Sequence, residues 1–308
     1  MRRWPWFLFK LTLTIGLIGF ALRQVELQSL QQTLRGLGWQ ATLAAVALTL
    51  ASALVSTWRW RRVLAHLGAT TSLRALLGDT LVGSTYNLLL PTSVGGDVAR
   101  SWRCGSRLGQ PEIAWASVVF ERIVGLLGLM LFSVIGLTYS LTDATRPLLL
   151  AALGMAGALW GLMLLGPVPL RLCARMTRRI NRRLQSFFEQ LAAALAGPLA
   201  QPLPRAETLF WSLVYQCVAL SILMAPGLEW QQPRLVEAVY LGVPIALVGA
   251  IAPVTLGGLG LRESLFVTVL EPFGVSPNRA LALALVWLAS NLLLGILGIG
   301  VLLCEKRR

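Results

Sequence analysis

Long stretches of apolar sequence without a charged residue constrain this chain more than any other feature. Crossing the roughly 30 Å hydrocarbon core of a membrane takes about 20 residues of α-helix. The six uncharged runs that meet or approach this length are residues 36–58, 123–142, 147–170, 208–228, 238–261 and 280–304, and residues 4–22 add a run that contains only Lys10. With 56% hydrophobic residues and a mean hydropathy of +0.70, the sequence predicts an all-α integral membrane protein whose 308 residues form one polytopic domain, 1–308.

The basic residues predict how the chain crosses the membrane, because Lys and Arg accumulate in cytoplasmic loops. Arg2 and Arg3 place the N-terminus in the cytoplasm, and the ending CEKRR places the C-terminus there too. Residues 171–183, with six arginines and no acidic residue, mark a cytoplasmic basic loop. This topology and anionic headgroups account for the net charge of +14, so we expect a multi-pass protein of the cytoplasmic membrane and no nucleic-acid partner.

A second basic cluster, WRWRR, follows the apolar run 36–58. We expect Arg59, Arg61 and Arg62 to mark the cytoplasmic end of this span. Trp58 and Trp60 fit the aromatic belt at the membrane interface.

Two segments must enter and leave the membrane on one side. The basic clusters require this of residues 75–120 on the cytoplasmic side and of residues 235–272 on the outer side, which predicts two oppositely oriented re-entrant hairpins. About six full spans complete the topology, at 4–22, 39–57, 123–140, 147–166, 207–225 and 279–303. In the alternative threading, residues 75–91 form a full span with a partner hidden in 105–122, although the charges there make a lipid-facing span costly.

The two hairpins carry the same motif at their turns, within residues 87–103 and 253–263. At identical offsets, PTSVGGDVAR and PVTLGGLGLRE share Pro91 with Pro253, Gly95 with Gly257, Gly96 with Gly258, and Arg100 with Arg262. Inverted repeats whose broken helices meet near the membrane midplane are typical of transporters. The fold that we expect is therefore an inverted repeat.

These breaks predict a binding site for an anionic lipid headgroup. A half-helix that begins at each break offers free N–H groups, the glycines let a ligand approach the backbone, and an arginine can fork onto a phosphate. Nearby acidic residues would neutralise the arginines in the empty site, and Asn87 would cap or bridge the first break. The headgroup-binding residues that we expect are Asn87, Pro91, Gly95, Gly96, Asp97, Arg100, Glu121, Arg122, Gly257, Gly258, Arg262 and Glu263.

Simpler explanations remain open for some of these residues. The glycines would equally serve close helix packing. Glu121 and Arg122 could lie at the inner interface, and Asp79 is either a charge at the start of the hairpin or a buried acid.

Other chemistry has little support in the sequence. The cysteines are scattered and His66 is the single histidine, so we expect no metal, no cofactor and no catalytic residues.

The motifs NLLLPTSVGGDVAR, VVFERIVG and PVTLGGLGLRE together resemble the flippase-like integral membrane family, which includes the N-terminal membrane half of lysylphosphatidylglycerol synthase. The resemblance implies re-entrant helices and the binding or movement of polar lipids, either an anionic phospholipid or a polyprenyl-phosphate-linked sugar. We find no aminoacyl-transferase domain in the sequence and expect no enzyme activity. A lipid-modifying enzyme or a second copy of the chain are the protein partners that we expect.

Three functions compete at this point. The favoured one is a lipid flippase. The others are a membrane enzyme that acts on lipid phosphates and a scaffold subunit for a synthase or glycosyltransferase.

The inverted repeat makes a topological prediction. Cysteines introduced near residues 95 and 257 should react with membrane-impermeant thiol reagents from opposite compartments, since the two hairpins enter from opposite faces. Labelling of both positions from the same compartment contradicts the predicted topology.

Overall fold

Helices make up every long element of the computed structural model, which describes residues 12, 16, 19, 27–90, 94–178, 181–227, 230, 232–251, 255 and 258–306. The helices in these ranges are α1 (Leu27–Arg35), α2 (Trp39–His66), α3 (Leu73–Leu89), α4 (Gly95–Leu108), α5 (Pro111–Tyr139), α6 (Arg146–Leu165), α7 (Val168–Thr177), α8 (Arg182–Ala200), α9 (Pro202–Gly227), α10 (Leu235–Gly249), α11 (Leu261–Leu270) and α12 (Pro277–Lys306). A π-helical turn, Ala238–Gly242, lies within α10. The predicted all-α class is confirmed.

Five of these helices, α2, α5, α6, α9 and α12, are long and apolar enough to cross a membrane. They coincide with five of the six predicted full spans, and nearly all of the sixth, residues 4–22, lies outside the described residues. Two helices extend well beyond their apolar runs. Helix α2 continues to His66 and α5 begins already at Pro111, because the polar residues in these extensions find partners on neighbouring helices.

Trp60 illustrates this extension and corrects one expectation. Its side chain is completely buried, and its indole N–H donates a hydrogen bond to the Ser117 hydroxyl at 2.8 Å. Trp60 is therefore part of the packing between α2 and α5, and its assignment to an interfacial belt was wrong.

The predicted basic loop 171–183 is largely helical. Arg171 and Arg175 lie on α7, and Arg182 and Arg183 begin α8. The Asn181 side chain caps α8 by accepting a hydrogen bond from the Arg183 N–H at 2.8 Å. Helices α7 and α8 pack against each other, and α8 also packs on α5, so the arginines project from a folded helical pair.

Both predicted breaks are present. Helix α3 ends at Leu89 and α4 begins at Gly95, whereas α10 ends at Gly249 and α11 begins at Leu261. The helices on either side of each break pack against each other, as in a hairpin. Pro91, Pro253 and Gly257 lie outside the described residues.

Helix α12 is the common support of the two hairpins. A length of 30 residues corresponds to about 45 Å of helix. Helix α3 runs antiparallel along its C-terminal half, where the Thr85 hydroxyl donates to the Gly295 carbonyl at 2.7 Å and the Arg103 side chain on α4 reaches Glu305 at 2.7 Å.

The second hairpin lies at the other end of α12. Arg279, in the first turn of α12, donates to the Gln232 side chain just before α10 at 2.6 Å. Phe266, Leu270 and Phe273 are buried in one cluster with the first turns of α12. The open ends of the two hairpins thus lie at opposite ends of a span-length helix, and their entry from opposite membrane faces stays a prediction.

Gly298 makes the close approach of α12 and α3 possible. A Cβ at this position would lie 2.1 Å from the Leu81 carbonyl oxygen and 2.3 Å from the Thr85 hydroxyl, both of which belong to α3. The Leu81 carbonyl belongs to the backbone and cannot move without displacing α3. Small residues at such contacts are typical of helix packing in membranes.

We expect Gly298→Ala to destabilise the protein by about 1–3 kcal/mol, because the added methyl group pushes the two helices apart. Thermal unfolding of the purified protein in detergent measures the effect as a lower midpoint temperature. Gly300→Ala is the matched control on the same helix, since a Cβ there meets nothing within 4 Å. Equal midpoints for the two variants would show that the α3–α12 contact is looser than described.

Candidate functional site

A continuous chain of five charged side chains lies between α2, α4 and α5. Arg59 donates from Nε to Glu121 Oε1 at 3.1 Å, and Glu121 Oε2 accepts from Arg100 Nη1 at 3.2 Å. Arg100 also pairs with Asp97 at 2.9 Å, and Asp97 Oδ2 accepts from Arg122 Nε at 2.5 Å. Each carboxylate therefore bridges two guanidiniums.

Four of the five charges are held out of solvent. Glu121 is 1% exposed, and Asp97, Arg100 and Arg59 are also buried. A buried charge is strongly destabilising without a partner, so each of these residues depends on the others. The helical spacing of Asp97 and Arg100, one turn apart on α4, places both beside Glu121.

Aromatic rings and a hydroxyl complete the surroundings of the two buried guanidiniums. The guanidinium carbon of Arg100 lies 4.9 Å from the centre of the Trp60 ring, and that of Arg59 lies 4.8 Å from the Tyr215 ring. Arg59 Nη1 also donates to the Ser212 hydroxyl at 3.3 Å. Such contacts favour a cation where water is scarce.

Arg122 differs from the other two arginines. Its side chain is 42% exposed, and within the described residues only its Nε donates, to Asp97. The three guanidiniums of the network face only two carboxylates, which leaves one formal positive charge. Both terminal nitrogens of Arg122 can therefore fork onto an anion.

The network lines a polar cavity of about 270 Å³. Hydroxyl and amide side chains from four helices complete its wall, namely Ser52, Ser56, Thr80, Ser84, Asn87, Gln216 and Asn291. The cavity thus offers both charge and hydrogen-bond partners to a small polar group.

A second cavity, of about 580 Å³, adjoins the first and is mostly apolar. Leucine and isoleucine side chains from both hairpin tips and from α12 line it, namely Leu88, Leu89, Leu90, Leu247, Ile251, Leu259, Leu288 and Leu292. Asn87, Arg122 and Asn291 line both cavities and form the junction between them. The tips of the two hairpins therefore face one space, as the predicted site requires.

Asn87 caps the helix that follows the first break. Asn87 Oδ1 accepts a hydrogen bond from the Gly96 N–H at 2.7 Å, so the predicted capping role of Asn87 is confirmed. A Cβ at Gly96 would lie 2.2 Å from the Gly83 carbonyl oxygen, and one at Gly95 would lie 2.7 Å from the Leu90 side chain. Close packing of α4 on α3 explains Gly96, whose N–H is not free for a ligand, whereas Gly95 packs against Leu90 just after the end of α3.

The second break is capped by a different residue. Glu263 Oε2 accepts from the Gly260 N–H at 2.6 Å, while Oε1 accepts from Arg262 Nε at 3.1 Å. Gly258 has a φ of +80°, a conformation that favours glycine. Arg262 is half-buried and lines the apolar cavity, whereas Arg100 lines the polar one, so the two matching arginines occupy adjoining compartments.

Charged residues in two places lie in surroundings that the sequence did not predict. Helix α5 begins at Pro111, so Glu121 and Arg122 lie well inside the helix, and Glu121 is buried in the network. Arg59 is 7% exposed and pairs with Glu121, so it belongs to the network, and its position at the cytoplasmic end of the span stays a prediction.

A spacing in the sequence could have revealed Arg59. Arg59, Arg62 and His66 follow each other at i, i+3 and i+7 and so share one face of α2. Arg62 and His66 both contact Glu207 on α9, at 2.5 and 2.7 Å. That face lies against α9, where Arg59 also contacts Ser212.

Comparison with known proteins identifies a family. The family model described as "Lysylphosphatidylglycerol synthase TM region" matches residues 7–298, which include every residue of the ion network. The comparison with curated proteins gives no match, and neither does the comparison with solved structures.

The network predicts a large effect of Glu121→Gln. Loss of this carboxylate raises the surplus of the network from one positive charge to two and leaves Arg59 without its acidic partner, and we expect a loss of about 3–5 kcal/mol in unfolding free energy. Denaturation of the purified protein in detergent measures it. Glu112→Gln on the same helix is the control and should have little effect. A Glu121→Gln protein as stable as the control would contradict the network.

Proposed function

The chain belongs to the lysylphosphatidylglycerol synthase TM region family, and on that premise we propose that it binds the anionic headgroup of a membrane lipid and moves this lipid between leaflets. The observation that carries the proposal is the pair of adjoining cavities, one polar with surplus positive charge and one apolar. A lipid has the same two parts.

Arg122 is the residue that would hold the headgroup. Arg122 lines both cavities, its terminal nitrogens have no partner among the described residues, and Arg–phosphate pairs are frequently bidentate. The single surplus charge of the network matches the single charge of a phosphodiester. Asn87 and Asn291 flank Arg122 and can bond the polar atoms next to the phosphate.

The apolar cavity would take the first part of the lipid chains. It is lined by Leu88, Leu89 and Leu90 at the end of α3, and Leu89 is highly exposed. An amphiphile with its phosphate on Arg122 would therefore keep its chains on an apolar surface.

The position of the junction favours transport over simple binding. Asn291 lies midway along α12, so the junction is about 20 Å of helix from either end. Sites at this depth, between the broken helices of an inverted repeat, are typical of alternating-access transporters. Rocking of one hairpin against the other would expose the site to each leaflet in turn.

Leaflet exchange in proteoliposomes tests the proposal. Purified protein should exchange fluorescent phosphatidylglycerol or a fluorescent polyprenyl phosphate faster than phosphatidylcholine, and the two anionic lipids distinguish the phospholipid from the isoprenoid cargo. Arg122→Gln should slow exchange of the anionic lipid at least tenfold, the factor for about 1.4 kcal/mol, since a charge-assisted bond to a phosphate contributes about 1.5–3 kcal/mol.

Arg171→Gln is the matched control, because Arg171 is an exposed arginine on α7 outside both cavities. Circular dichroism and elution volume verify that each variant is folded. Exchange by Arg122→Gln at the rate of the control would overturn the assignment of the site. Absence of exchange by the unaltered protein for every lipid would favour the scaffold or enzyme alternatives.

A further inference from the structure

A third cavity, of about 770 Å³, lies along the seam of α3, α4 and α12 at the C-terminal end of α12. It shares no lining residue with the two central cavities. Arginines from α3 and α4 lie at one end of it, and apolar side chains and glycines of α3 and α12 form its floor. No step of the proposed transport uses it.

The basic end of this groove is built on a buried acid. Asp79 is completely buried, and its Oδ1 accepts from Arg103 Nε at 3.0 Å, while Oδ2 accepts from Arg107 Nη2. Arg103 also donates to Glu305 at 2.7 Å. The choice that the sequence left open for Asp79 is settled: it is a buried acid that fixes both arginines.

Positive charge remains in excess at this end. Arg107 uses one terminal nitrogen for Asp79, and its side chain is 37% exposed. Arg74, in the first turn of α3, is exposed and has no ion pair within the described residues. Among the described residues, Arg74, Arg103 and Arg107 together face two carboxylates, Asp79 and Glu305, which leaves one guanidinium without an acidic partner at the rim of the groove.

The floor of the groove is open and apolar. Leu77, Leu81, Leu297 and Val301 line it, and a Cβ at Gly300 would meet nothing within 4 Å. From Arg74 to Leu81 the groove follows α3 for about 10 Å, on the basis of 1.5 Å per residue. An apolar slot of this length with a cation at one end is complementary to a lipid phosphate and the first part of the acyl chain that follows it.

We propose that this groove binds an anionic phospholipid as a second ligand, with the phosphate on Arg74 and Arg107 and one acyl chain over Gly300. The groove opens beside α12, a helix long and apolar enough to span the membrane. Membrane lipids would therefore surround the groove and have direct access to it. A headgroup there supplies the missing negative charge, and basic pockets between transmembrane helices bind such headgroups. The bound lipid would bridge the start of α3 and the end of α4 to α12, with its phosphate on the two arginines and its acyl chain on α12.

Photoactivatable lipids test the proposal on the full chain in nanodiscs. Phosphatidylglycerol and phosphatidylcholine, each with a diazirine in one acyl chain, are crosslinked and the labelled residues are mapped by mass spectrometry. Phosphatidylglycerol should label residues 297–305 more strongly than phosphatidylcholine does. Arg74→Gln should reduce this labelling about fivefold, the factor for about 1 kcal/mol per arginine near an anionic headgroup.

Two glycine variants separate the groove from general lipid contact. Gly300→Leu fills the slot and should reduce the labelling by a similar factor. Gly157→Leu is the matched control on α6, since a Cβ there also meets nothing within 4 Å, and it should leave the labelling unchanged. Arg74→Lys should retain most of the labelling because it keeps the charge.

Several outcomes would overturn the proposal. Equal labelling by the two lipids would show that charge does not select the occupant. Labelling of Arg74→Gln and Gly300→Leu at the level of the unaltered protein would show that the groove is not the site. Crosslinks confined to residues 88–90 and 247–251 would report the central cavity alone. None of these outcomes bears on leaflet exchange, so the two proposals fail or hold separately.

Discussion

The architecture depends on the chain of ion pairs from Arg59 through Glu121, Arg100 and Asp97 to Arg122. Buried charges in an apolar interior are strongly destabilising unless each one has a partner there. Because the five residues come from α2, α4 and α5, their pairing brings a short polar helix, α4, among the long apolar ones. The polar cavity lies beside α4, between it and the neighbouring helices.

At each of the two helix breaks a side chain accepts a hydrogen bond from the backbone, but the residue that does so differs. Irregular backbone within a membrane protein needs internal hydrogen-bond partners. Asn87 supplies one at the first break and Glu263 at the second, although the two motifs match at the proline, glycine and arginine positions. These caps occupy the Gly96 and Gly260 N–H groups, so neither of these two donors is free for an anion, whereas the terminal nitrogens of Arg122 have no partner among the described residues.

The sequence predicted most of the fold because apolar runs determine where helices can span, and Pro–Gly breaks determine where they stop. It also predicted that Asp97, Arg100, Glu121 and Arg122 belong together. It could not show partners on distant helices, so Arg59 was taken for a topological marker and α5 was expected to begin near 123. The role of Gly96 depends on its distance from Gly83, which no local pattern encodes.

The same pairing carries a consequence for ligand selection under the proposed function. Each carboxylate of the network already bridges two guanidiniums, so an incoming phosphate on Arg122 neutralises the surplus charge without breaking an existing pair. A zwitterionic headgroup also brings an ammonium group, which would have to compete with an arginine for Asp97 or Glu121 at the cost of leaving that arginine unpaired. The arrangement therefore favours anionic over zwitterionic headgroups. The selectivity comes from the lack of a carboxylate that is available for the ammonium group, and not from the number of arginines.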